Sequence, residues 1–241
     1  MRYNRAAINR AIEIIDLVDT AALQALTLSY LIQCSAPTDS NPIIGIQKMA
    51  AIYEAVSKDA LLKGGEWLEH LNVLGLINAI PVNGITRKKY YSYITQDLDG
   101  YICDGIQKGS LQHTSALKIL RDARFSQQIL VDNVFWDGYV RLPLAYKNQI
   151  HTLVQAESGQ SLLPQQYQAL EKVWDLYASN SDALYEIKRK FMLEWEKYDP
   201  LKQARIWWDE TIPYPFTITP VGKVLAHVNA KRFVPDIPNY T

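Results

Sequence analysis

Apolar residues recur along most of this chain in steps of three and four, and only a few short stretches turn extended. Over residues 8–18 they fall at Ile8, Ala11, Ile12, Ile15 and Val18. That spacing lines one face of a helix and predicts a single buried stripe. Asp19 and Thr20 offer side-chain oxygens to cap a second helix. Its run, AALQALTLSYLIQ, is apolar nearly all round and belongs near the centre of a core. SAPTDSNP, residues 35–42, reads as a loop, and a third helix follows at about 43–57.

Residues 60–77, ALLKGGEWLEHLNVLGLI, place Leu61, Leu62, Trp67, Leu68, Leu71 and Leu74 on one helical face. Gly75 is positioned to stop that helix, because glycine reaches the left-handed conformation a helix end favours. LINAIPV reads as a strand and Asn83-Gly84 as a hairpin turn. KYYSYIT, residues 89–95, rich in aromatic β-formers, reads as the returning strand. The expectation is a helix followed by a β-ribbon pairing 77–82 with 89–94.

Further along, LQHTSALKILRDARFS predicts a helix at 111–126, while 129–157 has no clear period. Two amphipathic helices follow, striped by Tyr167, Leu170, Val173, Trp174 and Tyr177, and then by Leu184, Ile187, Phe191 and Trp195. Asp199-Pro200 starts another, since proline is tolerated in the first helical turn. Residues 216–219 look extended, and Thr219-Pro220 caps a last helix, VGKVLAHVNAKR. The predicted fold class is mainly α with small β-ribbons. The expected division is a helical N-terminal part over 1–105 and a helical C-terminal part over 106–241 that ends in the strand–helix unit.

Charge narrows the function classes. Lys plus Arg and Asp plus Glu number 25 each, so any hold on nucleic acid must come from a local patch. The patch on offer is Arg87, Lys88 and Lys89, with no acid in sequence between Asn78 and Ser92. A basic hairpin tip can straddle a phosphate backbone; equally, lysine on an edge strand blocks aggregation. Two cysteines imply no disulfide framework, and four scattered histidines imply no zinc site or other metal. The N-terminus lacks a signal peptide's apolar core, and no run approaches the ~20 apolar residues of a membrane span, so a cytoplasmic protein without membrane contact is expected.

Catalytic spacing is missing. There is no G-x-S-x-G elbow and no glycine-rich loop followed by Lys-Ser or Lys-Thr. No histidine pair has H-x-x-x-H spacing, and no arginine precedes a histidine by four to six residues, as it does in helical ribonucleases of the HEPN type. The paired acids Glu194/Glu196, Asp97/Asp99 and Asp209/Glu210 are sequence neighbours, which are rarely held across a cleft. No catalytic residue and no cofactor are expected. Trp207-Trp208 stands apart, because adjacent helical residues diverge by about 100°. Either their helix is covered on more than one side, or one indole anchors a partner.

LEHLNVLGLI with the INAIPVNGITRKKYYSYIT that follows resembles the third helix and wing of a winged-helix domain. YPFTITPVGKVLAHVNAKR resembles the phrase in which strands of that superfamily pass through Thr-Pro-x-Gly into a helix. The whole order is also similar to Abi-alpha-like proteins of bacterial phage defence. These resemblances imply helical, winged-helix-like units and a non-enzymatic adaptor or regulatory subunit of a defence complex, with a protein partner. The alternative is a nucleic-acid-binding regulator using the wing at 87–89. Glu66 and Glu69 on the helix before the ribbon favour a protein over phosphate. A hydrolase whose site is assembled from distant residues is a third class that spacing does not address.

Overall fold

A computed structural model of the chain describes every residue except 1, 36, 38, 58–60, 80–88, 97, 127–128, 155–158, 214–215 and 236–241, and the side chains of 2–4, 93 and 96. In chain order the described helices are α1 (Arg2–Ile14), α2 (Thr20–Cys34), α3 (Pro42–Ser57), α4 (Glu66–Val73), α5 (Tyr90–Gln96), α6 (Leu111–Asp122), α7 (Pro164–Trp174), α8 (Ser181–Trp195), α9 (Asp199–Thr211) and α10 (Pro220–Phe233). The described strands are β1 (Ile77–Ala79), β2 (Ile106–Gln107), β3 (Val131–Asp132), β4 (Tyr139–Arg141) and β5 (Phe216–Ile218). Helix dominates and the strands are short and antiparallel, as the sequence predicts. Among the described residues, no helix is long and apolar enough to cross a membrane.

The chain divides into two compact units, and neither is continuous. The first comprises residues 1–36, 47–94 and 196–241, the second 37–46 and 95–195. This differs from the expected division at 105/106. The C-terminal strand–helix phrase falls in the same unit as the LGLI phrase because β5 pairs with β1.

In the first unit α10 packs against α2 and α1. α2 is buried almost throughout, from Ala22 to Ile32, as its all-round apolar pattern requires. Asp19 caps it by accepting from the amides of Ala21 and Ala22. Two polar pairs lie between α2 and α10. The Asn229 amide donates to Thr27 Oγ1 at 2.9 Å, and Tyr30 Oη lies 3.3 Å from His227 Nδ1. Buried polar groups that find each other avoid a desolvation penalty and single out one register of the two helices.

α1 departs from its expected stripe. It buries Ala7, Ala11 and Ile14, while Ile8 and Ile12, and Ile15 in the 3-10 turn Ile15–Leu17 that follows, stay outside at 45, 68 and 38% exposure. The core-facing contact uses Ala7, Ala11 and Ile14, and Ile8, Ile12 and Ile15 form a separate, exposed line.

The return strand expected at 89–95 is a helix, α5. Its buried residues, among those whose side chains are described, are Tyr90 and Ile94, four apart, which suits one helical face and not a strand. Asp209 Oδ1 accepts from the Tyr90 amide at 2.8 Å and caps its first turn. The aromatic β-formers are overridden by that cap and by burial of Tyr90 and Ile94. The Asn83-Gly84 turn lies outside the described residues.

The second unit holds a three-stranded sheet in the order β2-β4-β3, with Ile106 opposite Val140 and Val131 opposite Arg141. Its core is built from Ile106, Val140 and Leu142 together with Leu120, Leu170 and Val173 of α6 and α7. Arg141 is buried among backbone carbonyls. Its guanidinium donates to the oxygens of Gly100, Leu142, Leu144 and Ser40 at 2.7–3.2 Å and sits over the Tyr101 ring. A planar fork suits several carbonyls at once, a geometry lysine does not offer.

Candidate functional site

The chemistry-bearing surface of the first unit starts at α4, which is shorter than the sequence suggests. Gly64, with φ +81°, and Gly65 precede it, so Leu61 and Leu62 are not on its face. The helix buries Trp67 and Leu71, and Leu74 is half-buried. On the other side Glu66, Glu69, Asn72 and Val73 are exposed, Val73 at 85%. The two glutamates lie in the first turn, where their charge complements the positive end of the helix dipole.

Gly75 ends α4 as predicted. Its φ is +71°, the Leu76 amide donates to Leu71 O at 2.9 Å, and the Gly75 amide donates to Asn72 O at 3.0 Å. Those two bonds satisfy carbonyls that the helix end leaves without partners. The chain then enters β1, which pairs antiparallel with β5. Ile77 lies opposite Ile218, Asn78 opposite Thr217 and Ala79 opposite Phe216.

The Thr-Pro-x-Gly phrase closes the junction. The Thr219 amide donates to Leu76 O at 3.0 Å, and Thr219 Oγ1 donates to Gly75 O at 2.8 Å while accepting from the Gly222 amide. Gly222 passes so close to Leu76 that a Cβ there would lie 2.1 Å from the Leu76 oxygen. The two phrases that stood out in the sequence therefore form one ribbon, fixed between α4 and α10. Sequence reading missed the pairing because the chain between them is long and strand complementarity carries no distance signal.

Of the basic residues expected at the ribbon's tip, Arg87 and Lys88 lie outside the described residues. Lys89 is exposed and directly precedes α5. The Asp209 carboxylate accepts from the next residue's amide, so an acid from the far end of the chain meets the segment that no acid borders in sequence.

Trp207 and Trp208 are both buried, at 5 and 2% exposure, which is the core alternative rather than a partner anchor. Trp207 stacks on Trp67 with ring centroids 5.8 Å apart and donates from Nε1 to Leu62 O at 2.8 Å. Trp208 meets the Phe216 ring edge-on at 5.9 Å. α9 is thus covered on more than one side, by α4 and by β5.

Three of the four histidines pair with backbone or buried side chains, and His151 is exposed beside Glu171. His70 Nε2 accepts from the Asp19 amide ahead of α2, and His113 Nδ1 accepts from the Gly109 amide. His227 is buried beside Tyr30, and burial together with Lys231 holds its pKa below the usual 6.5. An open cleft of ≈ 490 Å³ is lined by Glu54, Ser57, Leu61, Leu62, Asp199 and Gln203. It offers the carboxylates of Glu54 and Asp199 and the hydroxyl of Ser57. Among the described residues no group of three or more His, Cys, Asp or Glu could hold a metal.

In the second unit the most perturbed groups surround Arg141. Burial pushes the Cys103 thiol up to about 12, which removes its nucleophilic form at neutral pH. Burial also raises Tyr177, whose hydroxyl accepts from the Leu142 amide, and Asp104, whose Oδ2 accepts from the Asn180 amide. Asp104 and Arg141 are each 1% exposed. This is a buried clamp on the backbone around 100–104 and 139–144, not a surface open to a substrate.

No curated protein and no solved structure matches the chain. A family model designated only by the suffix "-like", which states no activity, matches residues 2–240, and the chain belongs to that family.

Proposed function

We propose that this chain is a non-enzymatic adaptor or regulatory subunit of winged-helix type, which binds a protein partner through the exposed face of α4. The observation that supports it most is the α4–β1–β5–α10 arrangement, a short helix leading by a glycine stop into a ribbon and on through Thr-Pro-x-Gly to a helix. In this reading the ribbon is the base of a wing, and most of the second unit is chain inserted between its strands. The presented face carries Glu66, Glu69 and Asn72 around an apolar Val73. Two carboxylates there oppose a phosphate backbone and suit a protein surface with basic and apolar groups. The resemblance to Abi-alpha-like proteins extends the proposal to a subunit of a phage-defence complex.

The test is a photo-crosslinker placed at Val73, with a second chain carrying it at Tyr185 as control, each co-expressed with the products of adjacent genes. Capture of one such product from Val73 only, weakened by Glu69→Arg, is the expected result. Equal capture from both positions, or from neither, overturns the adaptor reading.

The nucleic-acid reading is tested in parallel by salt titration of duplex binding. Three phosphate contacts from Arg87, Lys88 and Lys89 predict a log–log slope of about −2.7. Binding that falls with that slope and is lost in the triple alanine variant would make the chain a nucleic-acid-binding regulator instead.

A further inference from the structure

We infer that a second copy of this chain packs on the exposed face of α1, with the two α1 helices antiparallel about a twofold axis. The inference is independent of the partner proposed for α4.

The first observation is the line of isoleucines. Ile8, Ile12 and Ile15 follow one another at helical spacing and remain 45, 68 and 38% exposed, and Leu17 just beyond is 61% exposed. Single exposed apolar residues are ordinary on protein surfaces; four within ten residues, three of them on one face, are a docking stripe. The helix has already met its own core with Ala7, Ala11 and Ile14. Among the described residues, the stripe is therefore surplus to the packing of the unit.

The second observation says what covers it. Charge along this segment is self-complementary under reversal. Arg5 is exposed near the N-terminal end of the stripe and Asp16 is exposed near its C-terminal end. Arg5 lies in α1 and Asp16 in the short 3-10 turn Ile15–Leu17 that continues it, so the two charges stand at opposite ends of the stripe. A twofold axis perpendicular to the helix reverses its direction and so sets each end of the stripe against the other end of its copy. Arg5 of one copy then faces Asp16 of the other, and the same contact recurs at the opposite end. A parallel pairing would bring like charges to the same end of the pair. A twofold contact needs a patch that complements itself, and this segment has one. A partner of uniform charge would be repelled at one end of the stripe.

A single helix face is small beside the ~1,600 Å² of a standard interface, so the association is expected to be weak, with a Kd on the order of 10 µM. Sedimentation velocity of the full chain from about 1 to 200 µM should then show a concentration-dependent passage from monomer to dimer. Ile12 is two-thirds exposed, so Ile12→Glu leaves the fold intact, which far-UV circular dichroism verifies, and it should hold the chain monomeric throughout. Arg5→Asp should weaken the dimer by tenfold or more, and Arg5→Asp with Asp16→Arg should restore it. A native chain that stays monomeric overturns the proposal, as does a dimer indifferent to Ile12→Glu. A dimer that loses Ile12 contacts but is not rescued by the charge exchange refutes the antiparallel arrangement.

Discussion

Replacing Gly222 by alanine separates two accounts of the chain by the sign of its effect. Gly222 lies in the first turn of α10 and is buried. In a helix without a close neighbour, Gly→Ala stabilises by about 0.5–1 kcal/mol, through higher helix propensity and a less mobile unfolded chain. Here the added Cβ would stand 2.1 Å from the Leu76 oxygen and 2.9 Å from Ile218 Cγ2. An ordinary C···O approach is about 3.3 Å, so helix and strand must part by roughly 1.2 Å. The contacts in that gap are the bonds from the Thr219 amide and hydroxyl to Leu76 and Gly75. Losing two such bonds costs about 1–3 kcal/mol and overpacking about 1–3 more, against the small propensity gain. The expected net is a destabilisation of about 2–4 kcal/mol, confined to the first unit. Hydrogen exchange read by segment measures it. Amides of 76–79 and 216–222 should lose protection, while those of the sheet formed by β2, β3 and β4 keep theirs. A variant as stable as the native chain, or more so, would mean that α10 does not press on Leu76 and that the ribbon is not held by Thr-Pro-x-Gly.

Three further outcomes follow from the same geometry. Trp67→Ala should cost roughly 3–5 kcal/mol, since it removes a buried indole stacked on Trp207; a loss below about 1 kcal/mol in urea melts would show that this face is not core. Arg141→Lys keeps the charge but not the fork, leaving carbonyls unsatisfied, and should lower the stability of the second unit by at least about 3 kcal/mol; a smaller loss on urea unfolding, followed by hydrogen exchange within that unit, would show that the clamp does not depend on its shape. The fold holds His227 neutral, with its pKa below the 6.5 of the unfolded chain, so the unfolded state takes up the proton first. Stability from this group is complete above pH 6.5 and is lost as pH falls from there through the lower folded value. The stability advantage of the native chain over His227→Gln should shrink across that window, and a difference constant from pH 7.5 to 5 would refute the assignment.

Much of the local structure was legible in the sequence, because helix periodicity and caps are local signals. Asp19 before α2, Pro200 in the first turn of α9, Gly75 after α4 and Thr219 before α10 each act within a few residues, and each does in the structure what its chemistry requires. The stripes of α7 and α8 likewise needed only spacing. What the sequence left open depended on residues far apart. Residues 90–96 carry a strand-like composition, yet they fold as a helix because Asp209 caps the first turn and Tyr90 and Ile94 bury the same face. Trp207 and Trp208 could have been anchors or core until Trp67 and Phe216 were found against them. Ile8, Ile12 and Ile15 satisfied the pattern of a buried stripe, and only packing showed that α1 turns Ala7, Ala11 and Ile14 inward. The pairing of β1 with β5 had no local trace. Two short strands match many others equally well, and it is the amide of Thr219 on Leu76 and the missing side chain of Gly222 that join these two. Sequence therefore determined most of the helices and their caps, through interactions within a turn or two of the chain. The tertiary structure alone decided which elements meet, because that choice rests on shape and unsatisfied hydrogen-bonding groups brought together from opposite ends of the chain.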